Sequence, residues 1–534
     1  MIKNAMLLFG LTLTLLAHGQ VGLDENIRKR SEALASGLEV FVMKEKLHCV
    51  KLLPEFYQQR LFKPAWTDKD TNAFVAILTQ ADEEGLDSED YHYNSIKLFL
   101  NKTKNAEERA ELDMLLTDAF LLYASHFLNG KVNPETVDSE WKAVRREGNA
   151  REFLEKALSE NNIANALQKL LPEHIGYNGL KESLKEYKSI AQKGGWANIP
   201  AGETIKKGMT DSIRIPLLIK RLLITNDLTS APKEQYTYSE AIEKAVTDYQ
   251  TRNGLEADGN LGKLTVASLN ISVNDRINQI KINMERYRWI SQDLGDHYVI
   301  VNIADYRMEV FKKNQMTFSQ KVIVGKPFRK TPVFSSKMTY FVLNPYWTVP
   351  PTILFNDILP ELQKNSGYLA TKNIRLFQGQ GSNATEVDPL TVNWSKLSKA
   401  NFPYTLRQDP GATNALGIVK FMFPNKYNIY IHDTPSKELF NRQDRAFSSG
   451  CIRLNKPMEF ANYLIQNEPN WNAEKMTTAL KTGKEQTVLL SKPINVHILY
   501  LTAWWQDGIV HLRNDLYNRD QAVLTALNEP APIL

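Results

Sequence analysis

Cysteine is almost absent from this 534-residue chain, occurring only at positions 49 and 451. Two cysteines cannot build a disulfide framework, and neither has the ligand-spaced partner of a structural zinc site. An excess of one charge is missing too. The 65 basic and 60 acidic residues leave a net +5, and no basic run is dense enough to mark a nucleic-acid surface. Beyond the N-terminus no apolar run is long enough to cross a membrane. Nothing suggests a metal or a cofactor. The 43% hydrophobic and 23% charged content is that of a globular protein, which excludes disordered and fibrous classes. At this length one core does not suffice, and three or four domains are expected.

Residues 1–19 have the layout of a secretory signal. Lys3 precedes an apolar run from Ala5 to Ala17, shorter than the ~20 residues of a spanning helix, and Ala17-His18-Gly19 ends it in a small-x-small pattern. An uncleaved anchor is the alternative, and either way the bulk of the chain is expected outside the cytoplasm. A disulfide is the ordinary fate of two exported cysteines. Here Cys49 lies in helix-like text remote from Cys451, which argues against pairing.

The periodicity over 25–200 is helical, as in Asn72 to Ala81 and Leu112 to Ala124, and predicts a helical scaffold domain. Its His48, His92, His126 and His174 are scattered and read as packing or surface residues. Residues 205–271 predict a compact three-helix unit. Ile213 to Leu223 is one amphipathic run, and Ser239 caps a second with Ile242, Val246 and Tyr249 on one face. Asn253-Gly254 ends that helix, Asp258-Gly259-Asn260 makes a tight turn, and Thr265 begins the third. This pattern resembles the peptidoglycan-binding domain fold of many cell-wall enzymes. It implies a wall-binding module, with a plain spacer an equal reading.

From residue 290 the signal changes to short β-branched and aromatic strands, predicting a sandwich-like antiparallel β-domain over 290–490. Residues 344–413, with Tyr346, Trp347 and a helix-like Thr352 to Gln363, are too long for a plain connection. They are expected to form an insertion able to act as a lid. Residues 491–534 read as a β-hairpin completing the sheet, with His497 and His511 structural.

Chemistry concentrates between Tyr427 and Leu454. Isoleucines 429 and 431 alternate with Tyr430 and His432, so the histidine leaves a half-buried strand on its polar face. Ser448-Ser449-Gly450-Cys451 follows, with Gly450 removing bulk beside the sulfur. A cysteine with a histidine base is the minimal acyl-transfer pair: the base takes the thiol proton and the thiolate attacks a carbonyl.

The run from Leu416 through Ile429-Tyr-Ile-His432-Asp-Thr-Pro to Ser448-Ser-Gly-Cys451-Ile-Arg453-Leu resembles the catalytic motif of the L,D-transpeptidases (YkuD-type domain). Tyr346-Trp347-Thr-Val-Pro, Arg407-Gln408 and Phe56 to Trp66 resemble segments of the larger Gram-negative periplasmic members. The fold implied is multidomain α+β, ending in that catalytic domain. The resemblance implies Cys451 as nucleophile, His432 as general base and proton donor, and the Gly450 N–H as an oxyanion donor. It leaves Ser449, where many members have histidine, as a candidate orienting group. Arg453, Tyr430, Tyr346 and Trp347 fall at implied substrate-binding positions, Arg453 either holding a substrate carboxylate or bracing its loop. The implied reaction is 3→3 cross-linking of peptidoglycan stem peptides in the periplasm. Glycan strands are expected as further contacts and carbapenem β-lactams as covalent inhibitors. Stem-peptide hydrolysis and non-enzymatic wall binding are the alternatives; the sequence says nothing of oligomeric state.

Overall fold

The computed structural model describes residues 22–102, 104–143, 146, 148–379 and 381–534. The signal segment read at 1–19 lies outside the described residues. The scaffold is organised on the helix Ala106–Asn129, opened by a capping box between Asn105 and Glu108. It is buried on nearly every side from Leu112 onward, so two of its residues can be carboxylates only because each is fully engaged. Asp113 accepts the Tyr57 phenol at 2.6 Å and the N–H groups of Ala65 and Trp66. Asp118 accepts the N–H groups of His48 and Cys49 at 3.0 and 2.7 Å and pairs with His92 Nε2 at 2.9 Å. The histidines read as packing residues thus include one, His92, that staples the helix to a neighbouring turn.

The small unit has helices Arg214–Ile224, Glu240–Arg252 and Lys263–Leu269. They close over a core of Ile215, Leu218, Leu222, Ile242, Val246, Tyr249 and Leu269. Gln250 pins the following turn, donating to Asp258 and Thr265 and accepting from the Gly259 N–H. The helix Val273–Trp289 then leads into the β-domain, buried against the scaffold through Arg288, which donates to Glu285 and to the Tyr177 phenol.

The main sheet is built from β1 (His297–Asn302), β2 (Arg307–Lys312), β3 (Gln315–Gly325), β4 (Phe334–Leu343), β5 (Val419–Met422), β6 (Ile431–His432), β7 (Ala446–Ser448), β8 (Ile452–Leu454) and β9 (Gln486–Leu499). Three long strands pass from one layer into the other, which gives the sandwich-like form. The first part of β3 pairs with β2 and its end with β8; β4 pairs with β9 along its length and with β5 at its end. Most of the ladder is antiparallel, but β6–β8, β7–β3 and β9–β1 are parallel. Between the layers lie Val299, Val301, Val310, Val322, Phe341, Phe421, Ile431, Ile452 and Ile498.

The tail departs from the expected single hairpin. Ile494 to Leu499 belongs to β9 and joins the main sheet, whereas β10 (Ala503–Gln506) and β11 (Ile509–Leu512) pair only with each other. The reason is a second apolar face. Ala503, Val510 and Leu512 pack on Tyr177, Leu180 and Leu184 of the scaffold helix Ile175–Gln192, not on the sheet. The helix Asp520–Asn528 follows, and Asp520 accepts from Arg286 at 2.6 Å.

The insertion has its own four-stranded sheet, in the order 347–348, 404–408, 374–378, 385–387. Helical turns from Pro351 to Lys364 cover it, enclosing Leu354, Ile358, Leu362, Leu376, Trp394 and Leu406. It is a folded unit rather than an extended loop.

Candidate active site

Strands β5, β6 and β8 lie side by side, and their register sets the site. Phe421 faces Ile431 and Ile431 faces Ile452, all three fully buried in the core. Alternation therefore sends Lys420, Tyr430, His432, Cys451 and Arg453 to the opposite face. Lys420 stands opposite His432, and His432 opposite Arg453.

Cys451 is a free, half-buried thiol, and Cys49 is also free, buried within the core of the scaffold. The Cys451 sulfur lies 3.7 Å from the Asn428 carbonyl oxygen. Burial pushes its pKa up, opposed by hydrogen bonds from the Tyr430 N–H and phenol and by the charges of Lys420 and Arg453. Tyr430 joins the pair, its phenol on the sulfur and its ring 5.6 Å from the His432 ring.

His432 is 5% exposed, and its Nδ1 lies 2.5 Å from the Asp433 carbonyl oxygen. A carbonyl only accepts, so Nδ1 carries the proton and Nε2 keeps the lone pair a base requires. Burial first, then the Arg453 and Lys420 charges, push its pKa down to about 3. The backbone, not a side chain, orients this base.

Two expectations fail here for identifiable reasons. The Gly450 N–H is not free to serve as an oxyanion donor, because it donates to Ser448 Oγ at 3.1 Å, which itself donates to the Cys451 carbonyl at 2.5 Å. Ser449 does not orient the base. Its hydroxyl turns to the rim and accepts from Arg329 Nη1 at 3.0 Å, while the same guanidinium grips Asp357 of the insertion at 2.5 and 2.6 Å. Gly450 is still needed for its conformation: its φ is +117°, which a side chain rarely tolerates.

Arg453 is half-buried, and its Nε has no acceptor. Trp347 reaches the site through a side-chain hydrogen bond to Tyr430. Tyr346 is turned away, its ring beneath the Arg407 guanidinium at 4.7 Å and its N–H on Glu485.

Sequence reasoning missed Lys420, Arg329 and Thr331. Lys420 carried a signal, a lone cation alternating with Val419 and Phe421 in a short strand. Thr331 carried none. It is fully buried, its hydroxyl donates to the Gly450 carbonyl at 2.8 Å and accepts the Gly325 N–H at 2.9 Å, and so it holds the cysteine turn. Thr331→Val keeps the shape and leaves two buried backbone groups without partners, so we expect a loss of about 2–4 kcal/mol. Urea denaturation of the variant checks this; an unchanged midpoint would show that the turn does not depend on that hydroxyl.

Two clefts of about 790 and 570 Å³ lie between the scaffold and the 503–512 hairpin and a third of about 820 Å³ between the scaffold and residues 526–534, and none of the three is lined by Cys451 or His432. The chemistry is placed by the strand register rather than by the volume of a cavity.

Residues 296–479 match the L,D-transpeptidase catalytic domain, residues 217–269 a putative peptidoglycan binding domain, and residues 51–184 a scaffold domain. Residues 296–479 are thus similar to a YkuD-type L,D-transpeptidase catalytic domain. A putative L,D-transpeptidase of Haemophilus influenzae is 32% identical over 274 residues, covering 50% of this chain and 54% of that protein. The chain thus spans about half the length of that curated relative. Among solved structures, an L,D-transpeptidase from Stackebrandtia nassauensis is 12% identical, covering 59% of this chain and 100% of its own, with a TM-score of 0.22. Residues 123–326 of an L,D-transpeptidase from Xylanimonas cellulosilytica are 14% identical, with 56% and 99% coverage and a TM-score of 0.17.

Proposed function

We propose that this chain is an exported, periplasmic peptidoglycan L,D-transpeptidase that works through a Cys451 acyl-enzyme. The observation that carries the reading is a free thiol on the same strand face as an imidazole whose Nδ1 is already committed. His432 Nε2 takes the thiol proton, and the sulfur attacks the carbonyl joining the third residue of a stem to its terminal D-alanine. The Cys451 N–H, for which no acceptor stands within hydrogen-bond reach among the described residues, receives the developing oxyanion. Imidazolium returns its proton to the leaving amine, and D-alanine departs. The amine of a neighbouring stem then attacks the thioester and gives a 3→3 cross-link.

Arg453, bearing a guanidinium without a carboxylate partner among the described residues, suits a substrate carboxylate better than a bracing role. The 217–269 unit would hold glycan strands near the site. Carbapenems would acylate the same sulfur. Water in place of the amine would make the enzyme a stem-peptide hydrolase. The insertion opposes this by being tied to the Ser449 turn, beside the sulfur, through Arg329, which bonds both Asp357 and Ser449.

Incubating the purified protein with tetrapeptide-bearing fragments tests the reading. Cross-linked dimers are expected; tripeptide products alone would favour hydrolysis, and no product at all would favour a wall-binding protein. Arg329→Met frees the insertion from the Ser449 turn, and the ratio of hydrolysed to cross-linked product is expected to rise several-fold. An unchanged ratio would remove the insertion from the choice of acceptor.

A further inference from the structure

The cleft of about 570 Å³ takes no part in the chemistry above, and none of its lining comes from β5, β6 or β8. Its floor is the outer face of β1 and β2. Val299, Val301, Met308 and Val310 turn into the core, so Ile300, Arg307, Glu309 and Phe311 turn out. Its walls are Tyr287, the segment 290–296, and Trp504 and Trp505 of the hairpin.

Glu309 stands on this floor without a partner. Across the ladders it faces Ile300 and Ser319, neither of them charged. Arg307, two residues back, is already engaged: it donates to Ser319 at 3.0 Å and pairs with Asp305 at 3.4 Å. Arg513 is likewise paired with Asp305, at 2.6 Å. Among the described residues no hydrogen bond or ion pair holds the Glu309 carboxyl. Burial, then the Asp305 charge, push its pKa up to about 7, with Arg307 opposing and Asp507 of the hairpin adding to the rise. A second acceptor in the same cleft is idle, for Gln292 Oε1 is buried with no donor. The amide oxygens of Asn302 and Asn314 are taken, by the Leu501 N–H and the Tyr298 phenol. Exposed Glu173, Asp293 and Asp296 add negative charge at the rim against Lys313, and burial keeps His174 neutral.

Such a cleft suits a ligand group with positive charge, several donors and no acceptor. A metal ion fits poorly, since among the described residues no three His, Cys, Asp or Glu side chains are placed to share one. An alkylammonium meets each condition, with three N–H donors and a methylene stem to lie along Ile300 and Phe311. We propose that this cleft binds the free side-chain ammonium of a peptidoglycan stem peptide through Glu309 and Gln292. The enzyme would thereby hold one stem while Cys451 works on another. The inference rests on the wall being the substrate, as proposed above, but not on Cys451 being the nucleophile.

The test is calorimetric titration of the full-length Cys451→Ala chain, which cannot turn the ligand over. Three probes are used: a stem tripeptide with a free side-chain amine, the same peptide with that amine acetylated, and a glucosamine oligomer. The stem amine stays charged over pH 6–8, whereas the ionised share of Glu309 grows from about a tenth to about nine-tenths. Affinity for the free amine is therefore expected to rise about tenfold between pH 6 and pH 8, with release of a proton. Acetylation, or Glu309→Gln added to the chain, should abolish that rise and weaken binding at pH 8 by at least ~10-fold. Gln292→Leu, a half-buried wall position, should weaken it several-fold and serves if the glutamine variant does not fold. Equal affinity for the free and acetylated peptides, or undiminished binding by the Glu309 or Gln292 variant, overturns the assignment. Preference for the glucosamine oligomer over the stem peptide overturns it as well. Glu309→Gln in the wild-type background should leave carbapenem labelling of Cys451 unchanged. Absence of that labelling in wild type would sink the reading of the thiol, while the titration still decides the cleft.

Discussion

Wild-type protein exposed to a carbapenem is expected to gain the mass of one inhibitor, while Cys451→Ala keeps its original mass. The argument is local. Cys451 is the accessible member of the two free thiols, with donors from Tyr430 aimed at its sulfur and a base on the same strand face. Cys49 is fully buried, and burial beside the Asp118 carboxylate holds its pKa well above the ordinary thiol range. Cys49→Ala should therefore acquire the adduct at the wild-type extent. Peptide turnover by Cys451→Ala should fall by at least ~10⁴-fold, as for other removed nucleophiles. An adduct that survives Cys451→Ala, read by intact mass, would refute the site.

The second large effect is on pH dependence. His432 stays neutral down to about pH 3, and burial raises the Cys451 pKa, so the resting pair is a neutral thiol beside a neutral imidazole. Alkylation of Cys451 by iodoacetamide should then rise through neutral pH with no inflection near 6.5, and go on rising past the ordinary thiol value of about 8.5. A thiolate–imidazolium pair would instead give a plateau reaching below pH 6, and observing one would reverse the assignment. His432→Ala should lower peptide acylation by about 10²–10⁴-fold, the usual share of a general base. The same depressed pKa bears on stability. The unfolded histidine takes a proton near pH 6.5 and the folded one does not, so this contribution is whole above 6.5 and lost as pH falls toward 3. At pH 5 the loss is about 2 kcal/mol, measurable as a lower urea midpoint that His432→Asn should flatten.

Much of this was legible in the residues. Alternation around Ile429 and Ile431 placed His432 on the polar face, and turn residues marked the 205–271 unit, because both signals are local. What escaped depends on contacts between distant segments. Thr331 meets Gly450, 119 positions away, through one hydroxyl. Ser448 sits two residues from Gly450 and captures its N–H, a competition that residue types cannot reveal. The hairpin was misassigned because Val510 and Leu512 advertise an apolar face without saying whose core it joins. A row such as Lys420–His432–Arg453 exists only once three strands have found their register.

The return of the 520–528 helix has a consequence for how the molecule is made. Lys131 donates to the Leu527 carbonyl at 2.9 Å across a separation of 396 residues, and Arg286 waits for Asp520. The packing around Lys131 is therefore completed only by a segment 396 residues further along the chain. Contacts of such long range form slowly. A chain interrupted after β9 would keep Cys451 and His432 while leaving Lys131 and Arg286 without these two partners.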